Sequence, residues 1–213
     1  MAGAQAPPAP AVPAPAPARF VVVLDAAHGG DDSGGWLNGQ AEKTFTLALS
    51  VRLRSLLSAR GIPAVTTRES DATVDLNRRA EVANHANAQA CLSLHASESG
   101  NGIHLFVSSM APAPPTHFAA WKTAQAAWVT RSLALAGTLN SAFLQAGMTV
   151  TLGRTALPAV DSMTCPAVAV EIAPERGSDK KVTAGLDDPG YQARVAEALA
   201  AALLEWRSEA RQP

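Results

Sequence analysis

A chain of 213 residues, 47% apolar and 16% charged, is long enough for one domain with a substantial core. Its formal net charge of -1 gives no electrostatic basis for binding nucleic acid or an anionic membrane, and no run reaches the roughly 18 apolar residues of a membrane span. Function must therefore be read from a site, not from a field.

Residues 1–18, MAGAQAPPAPAVPAPAPA, are almost entirely alanine and proline. This composition cannot pack a core and predicts an extended tail or linker. It also lacks the basic start and apolar centre of a secretory signal. The folded unit begins with Val21-Val22-Val23-Leu24, which reads as a strand buried on both faces. That strand runs through Asp25 into His28, Gly29 and Gly30, where the glycines permit a bend closed to other residues.

Residues 42–60 are predicted helical, with Phe45, Leu49, Leu53, Leu56 and Leu57 forming one apolar stripe and Gly61 as the stop. A short strand over 62–67 follows, then a helix over 75–87 with Leu76, Ala80 and Ala83 on its inner face. Residues 90–95 and 102–108 read as buried strands. Prolines break the chain over 111–115. Beyond them, 117–145 has helical character, as one helix or two, with Trp121, Trp128, Leu135, Leu139 and Phe143 as inner residues. Tryptophans at such spacing predict core, not a sugar platform. Residues 166–172 form another buried strand, and Pro189 opens a last helix carrying Tyr191, Val195, Leu199 and Leu203. Strands alternating with helices predict an α/β sheet with helices on both faces, and no internal repeat is visible. Cys91 and Cys165 fall in no Cys-x-x-Cys spacing and are expected to be buried thiols.

Three ionisable residues sit at element boundaries: His28 ends the first strand, His95 ends another, and Glu42 opens the first helix. Parallel strands bring their carboxyl ends to one sheet edge, where ligands bind. Two histidines and a glutamate meeting there would make a three-ligand zinc site with one position open for a water of lowered pKa. The spacing matches no local motif such as His-Glu-x-x-His, so other readings stay open. His28 could be a hydrogen-bonded structural residue, and Glu42 could merely favour a helix N-terminus. Glu171 ends the apolar run of 166–170, where an unpaired carboxylate is costly. It reads either as one half of a salt bridge to an arginine or as a general base raised in pKa by burial. His85, His104 and His117 have no comparable placement and are read as structural.

Residues 21–35, VVVLDAAHGGDDSGG, resemble the opening of zinc-dependent N-acetylmuramoyl-L-alanine amidases: an apolar strand, Asp, then His-Gly-Gly-x-Asp-x-Gly. Gly39-Gln40-Ala41-Glu42-Lys43 is similar to the Gly-x-x-Glu-Lys that follows. Thr67-Arg68-Glu69-Ser70-Asp71 and Leu76-Asn77-Arg78-Arg79 match Thr-Arg-x-x-Asp and Leu-x-x-Arg. Ser93-Leu94-His95-Ala96 resembles Ser-Ile-His-Ala, and 166–172 resembles Pro-Ala-Val-Leu-Val-Glu-Ile. The stretches stand in family order and span residues 19–207.

The resemblance implies a twisted, mixed but mostly parallel six-stranded sheet with helices on both faces, in a single catalytic domain over 19–210. It implies His28, Glu42 and His95 as ligands of Zn2+ and Glu171 as the catalytic acid/base. The implied reaction cleaves the amide between N-acetylmuramic acid and L-alanine in peptidoglycan. That substrate places the protein in the cell envelope, periplasmic or extracellular; no activator protein can be identified from the chain. A non-catalytic peptidoglycan-binding module and a zinc peptidase or deacylase are the alternatives on the same scaffold. Departures from the pattern fall at Ala26 and Ala27, where Pro-Gly is usual, at Ser97, where Asn or Asp is common, and over 173–177, where Ala-Pro-Glu-Arg-Gly replaces Gly-Phe-Leu-Ser-Asn. Some relatives carry a self-blocking helix in the interval matching 110–130, so the resemblance raises a lid there. Its other reading is a surface loop packed by Trp121 and Trp128.

Overall fold

A computed structural model describes residues 19–114 and 121–209; the Ala/Pro tail at 1–18 and His117 lie outside them. In chain order, β1 (Val22–Ala26) leads to a small hairpin of β2 (Trp36–Leu37) and β3 (Gln40–Ala41), and directly into α1 (Glu42–Ala59). Then come β4 (Ala64–Thr66), α2 (Leu76–His85), β5 (Ala90–Ala96) and β6 (Ile103–Ser108). A 3-10 segment (Trp121–Ala127) precedes α3 (Val129–Gln145), so the stretch read as one helix or two is a 3-10 segment and a helix. β7 (Val150–Thr155), a 3-10 turn (Val160–Ser162) and β8 (Ala167–Ile172) follow. The small strands β9 (Glu175–Arg176) and β10 (Val182–Ala184) and the helix α4 (Pro189–Glu209) complete the chain.

Six strands make one sheet in the order β4-β1-β5-β8-β6-β7. β4, β1, β5 and β8 are mutually parallel; β6 lies antiparallel to β8 and parallel to β7. The sheet is thus mixed and mostly parallel. Four of these strands, β1, β5, β6 and β8, are visible as apolar runs in the sequence, and β4 falls within the short strand expected over 62–67. The sixth, β7, reads Val-Thr-Leu-Gly-Arg-Thr and lies half open to solvent at the sheet edge, so it carries no buried-strand signal.

The strand period of two divides the chemistry between the faces. Val22, Leu24, Leu92, Leu94, Val168, Val170 and Leu105 point to one face and form the main core with α1, α3 and α4. Val23, Cys91 and Ala167 point to the other, against Ala80 and Ala83 of α2 and Met163 and Val160. By the same alternation Asp25, Ser93, His95 and Glu171 occupy this second face, which is covered by smaller side chains. One large apolar layer therefore carries the packing and leaves the opposite face free for polar groups.

Two expectations need correction. Leu76 is 51% exposed, because the inward positions of α2 are Arg79, Ala80 and Ala83. Asp75 caps this helix by accepting from the Arg78 amide at 2.9 Å. Cys91 and Cys165 are buried, but they are joined as a disulfide and not free thiols. Adjacent positions at the starts of β5 and β8, paired through Cys91 and Ala167, bring the two sulfurs together. Sequence separation hides that proximity. Within the interval considered for a lid, Gln125 is buried and donates to the carbonyls of Met163 and Cys165. Its described part is thereby tied to the turn before β8.

Candidate metal centre

β1 delivers the chain to a bend at residues 26–30 where His28 itself takes a left-handed conformation, φ 62°, followed by Gly29 and Gly30 at positive φ. A histidine in this region is strained, and the surrounding bonds hold it there. Arg79 donates to the carbonyls of Ala26 and His28, both at 2.8 Å. Arg68 donates to the carbonyls of Ala26 and Ala27 at 2.9 and 3.1 Å, and to Thr46 Oγ1 at 3.0 Å. Thr46 in turn donates to Ala27. Lys43 donates to the Gly30 carbonyl and pairs with Asp71, which accepts from the Gly30 amide. Two arginines and a lysine replace the hydrogen bonds that a tight, partly buried bend would otherwise lack.

His28 is brought beside Glu42, the first residue of α1, with Nε2 3.2 Å from Oε2. His95, near the end of β5, places Nδ1 3.1 Å from Oε1 of the same carboxylate. The imidazole rings stand edge to face with centroids 5.3 Å apart. One ligand-type atom from each residue lies within 4.8 Å of the other two. Zinc–nitrogen and zinc–oxygen bonds of about 2.0–2.1 Å in a tetrahedron separate ligand atoms by roughly 3.3 Å. The two histidine–carboxylate distances fit that edge, and the donor set of two imidazoles and a carboxylate suits zinc.

The groups behind these three fix their orientation. His28 Nδ1 lies 2.8 Å from Asp32 Oδ2, which leaves Nε2 as the atom facing the centre. His95 has the opposite polarity: Nδ1 faces the centre while Nε2 lies 3.4 Å from the Ser93 hydroxyl. Ser93 donates to Asp25 at 2.8 Å, and Asp25 also receives Thr67 and a buried ion pair from Arg79 at 2.7 Å. A chain of contacts thus runs from Arg79 through Asp25 and Ser93 to the second histidine.

Burial works against the charge on Glu42. Hydrogen bonds from His28, His95 and the amides of Gly35 and Ala96 outweigh it and hold the carboxyl far below its ordinary range. The same Glu42 contact raises the His28 pKa against its partial burial, with Asp32 adding to the effect. Gly34 closes the site from beneath: its φ is 64°, and a Cβ there would meet His28 Cδ2 at 2.6 Å and Glu42 Oε2 at 2.7 Å.

Glu171 is the direct register partner of His95 on β8, so both side chains share the polar face. No ion pair among the described residues involves it. It lines a cavity of about 400 Å³ together with Glu42, His95, Trp36 and residues 97–99. His85 is the last residue of α2. His104, the neighbour of Glu171 on β6, bonds Thr151 at 2.6 Å on the sheet edge.

The structure therefore brings together all four residues singled out from the sequence. Reasoning from the sequence missed the supporting set of Asp25, Asp32, Arg68, Asp71, Arg79 and Ser93. Their signal was present, since each stands in one of the matched motifs, but no role attached to them until the bend was visible. The departure at 173–177 also finds a purpose. Arg176 donates to the carbonyls of Gly100 and Glu98, and its amide to Asn101, pinning the loop at the cavity rim.

Residues 22–205 match the family described as N-acetylmuramoyl-L-alanine amidase. The sporulation-specific N-acetylmuramoyl-L-alanine amidase of Bacillus subtilis (strain 168) is 36% identical over 100 residues, covering 46% of this chain and 39% of that protein. AmiA of Escherichia coli (strain K12) is 43% identical over 79 residues, 37% of this chain and 27% of AmiA. The chain thus spans less than two-fifths of the length of these curated relatives. Among solved structures, the catalytic domain of CwlV from Bacillus (Paenibacillus) polymyxa var. colistinus aligns with a TM-score of 0.69 at 27% identity. The alignment covers 89% of this chain and 98% of that domain.

Proposed function

The chain belongs to the N-acetylmuramoyl-L-alanine amidase family, and we propose that residues 19–210 hydrolyse the amide joining the lactyl group of N-acetylmuramic acid to L-alanine in peptidoglycan. We assign His28, Glu42 and His95 as the ligands of a zinc ion and Glu171 as the acid/base. The observation that carries this reading is the convergence of the three candidate ligands beside Glu171 at one cavity.

Amide hydrolysis needs a nucleophile at neutral pH, a stabilised oxyanion and a proton for the departing amine. Bound at this site, zinc supplies Lewis-acid chemistry, lowering the pKa of water and polarising a carbonyl. Glu171 supplies the proton transfer: its carboxylate takes the proton from the attacking water and gives it to the leaving nitrogen. Asp32 and Ser93 keep each imidazole in the tautomer that turns its lone pair inward. The amides of Gly35 and Ala96 donate to the two oxygens of Glu42 and fix its carboxylate at the centre.

The disulfide supports action outside the cytoplasm, in the cell envelope, since such bonds persist in oxidising compartments. No described helix is long and apolar enough to cross a membrane.

The test is incubation of purified muropeptides with zinc-loaded protein and identification of fragments by mass. Release of the intact stem peptide supports the amidase; loss of one terminal residue indicates a peptidase, and no release a binding module. Glu171→Gln should retain zinc while hydrolysis falls about 10²–10⁴-fold. His95→Ala should lose zinc. Equal zinc content and activity in wild type and His95→Ala would overturn the assignment.

A further inference from the structure

Trp36 leaves 66% of its surface open, although the residue beside it, Leu37, is buried in the main core. The pleat of β2 accounts for the difference, because successive side chains point to opposite faces. Leu37 anchors the hairpin and Trp36 is displayed by it. The display is rigid where it matters. Gly35, next to Trp36, donates its amide to Glu42 Oε2 at 2.9 Å and accepts from the Glu42 amide at 2.8 Å. Trp36 itself is registered against Ala41, the residue before Glu42. A large flat aromatic is thus held between a neighbour hydrogen-bonded to a candidate metal ligand and the residue that precedes that ligand, and it lines the same cavity as Glu42, His95 and Glu171.

The rim of that cavity has two chemistries. The hairpin contributes Trp36. The loop after β5 contributes Ser97, Glu98 and Ser99, with the two hydroxyls 2.8 Å apart and Arg176 bracing the backbone. A muramoyl peptide is divided in the same way at its scissile amide. On one side is a pyranose whose ring presents an apolar C–H face, suited to an indole that combines apolar area with few rotamers. On the other is a peptide rich in N–H groups, suited to hydroxyl and carboxylate acceptors.

We propose that Trp36 is a specificity residue that stacks on the muramoyl pyranose, while the 97–99 rim receives the stem peptide. This rests on the amide hydrolysis proposed above and assigns the sugar side of the cleft. Binding energy from the ring then helps to position the amide against Glu171, although the sugar takes no part in bond cleavage.

The experiment compares two substrates with the same scissile amide: a muramoyl peptide, and a D-lactoyl peptide of the same sequence that lacks the pyranose. The zinc-loaded wild type should prefer the muramoyl substrate in kcat/KM. In Trp36→Ala that preference should fall about tenfold, the size of one lost aromatic contact. Trp36→Phe should restore most of it. Zinc content and thermal unfolding of each variant show whether the fold and the centre are intact. A preference unchanged in Trp36→Ala, or an equal loss on both substrates, would overturn the pyranose assignment and leave the amidase reading standing. Wild-type protein that cleaves neither substrate would instead overturn the amidase reading, and the assignment with it.

Discussion

Breaking the Cys91–Cys165 bond should destabilise the protein greatly while leaving its metal centre assembled. The cysteines are separated by 74 residues in sequence. Closing a loop of that length removes unfolded-state entropy equivalent to about 4.5 kcal/mol at 25 °C. For a chain of this size each kcal/mol moves the melting temperature by roughly 2–4 °C, so the reduced protein should melt about 9–18 °C lower. Both cysteines are fully buried, so reductant must be applied during unfolding and refolding, with the free thiols counted by mass. The Cys91→Ala/Cys165→Ala double variant provides a second route to the same state. Far-UV circular dichroism and calorimetry read the melting temperature. Zinc analysis at low temperature should show an occupied site in both forms, because His95 lies about 13 Å further along β5 at 3.3 Å per residue. A melting shift below about 2 °C in fully reduced protein would refute the entropic reasoning. Loss of zinc from folded, reduced protein would refute the separation of bond and site.

Two further outcomes follow from the groups around the bend. Arg79→Met would leave the Asp25 carboxyl almost completely buried and without its cationic partner. Breaking such a pair costs about 3–5 kcal/mol, measurable as a shifted urea midpoint; a loss under about 1 kcal/mol would mean that Thr67 and Ser93 suffice for Asp25. Zinc affinity should rise with pH from 6 to 8. In the metal-free centre, hydrogen bonding to Glu42 raises the His28 pKa, burial opposes this and Asp32 adds to it. A coordinating imidazole must be neutral, so the metal has to displace a proton that is held more tightly than usual. That competition fades as the pH passes the raised pKa. Calorimetric zinc titrations in buffers of different ionisation enthalpy should register the released proton, and an affinity independent of pH would contradict the coupling.

Much of the architecture was legible in the chain because burial on both sheet faces leaves an unbroken apolar run. β1, β5, β6 and β8 carry such runs and read directly as strands. α1 and α4 were legible through their stripes, and α1 also through its glycine stop. Where elements depend on partners, the signal disappears. β7 is an exposed edge strand held by pairing with β6, and the β2–β3 hairpin is two residues long on each side. Leu76 misled because an apolar residue in the first turn of α2 need not face inward, whereas Arg79 does, in order to reach Asp25.

For the site, the sequence by itself determined the cast: two histidines and two glutamates at the ends of strands and the start of a helix, in motifs that recur together. Residue type and order decide which chemistry is available, and both are local properties of the chain. The tertiary structure decided which atoms face inward, through Asp32 behind one imidazole and Ser93 behind the other. It also decided that Cys91 and Cys165 meet, that Arg68 and Arg79 hold His28 in a strained conformation, and that Trp36 stands at the cavity rim. All of these depend on contacts between segments far apart in sequence, and the sheet must form before any of them exists.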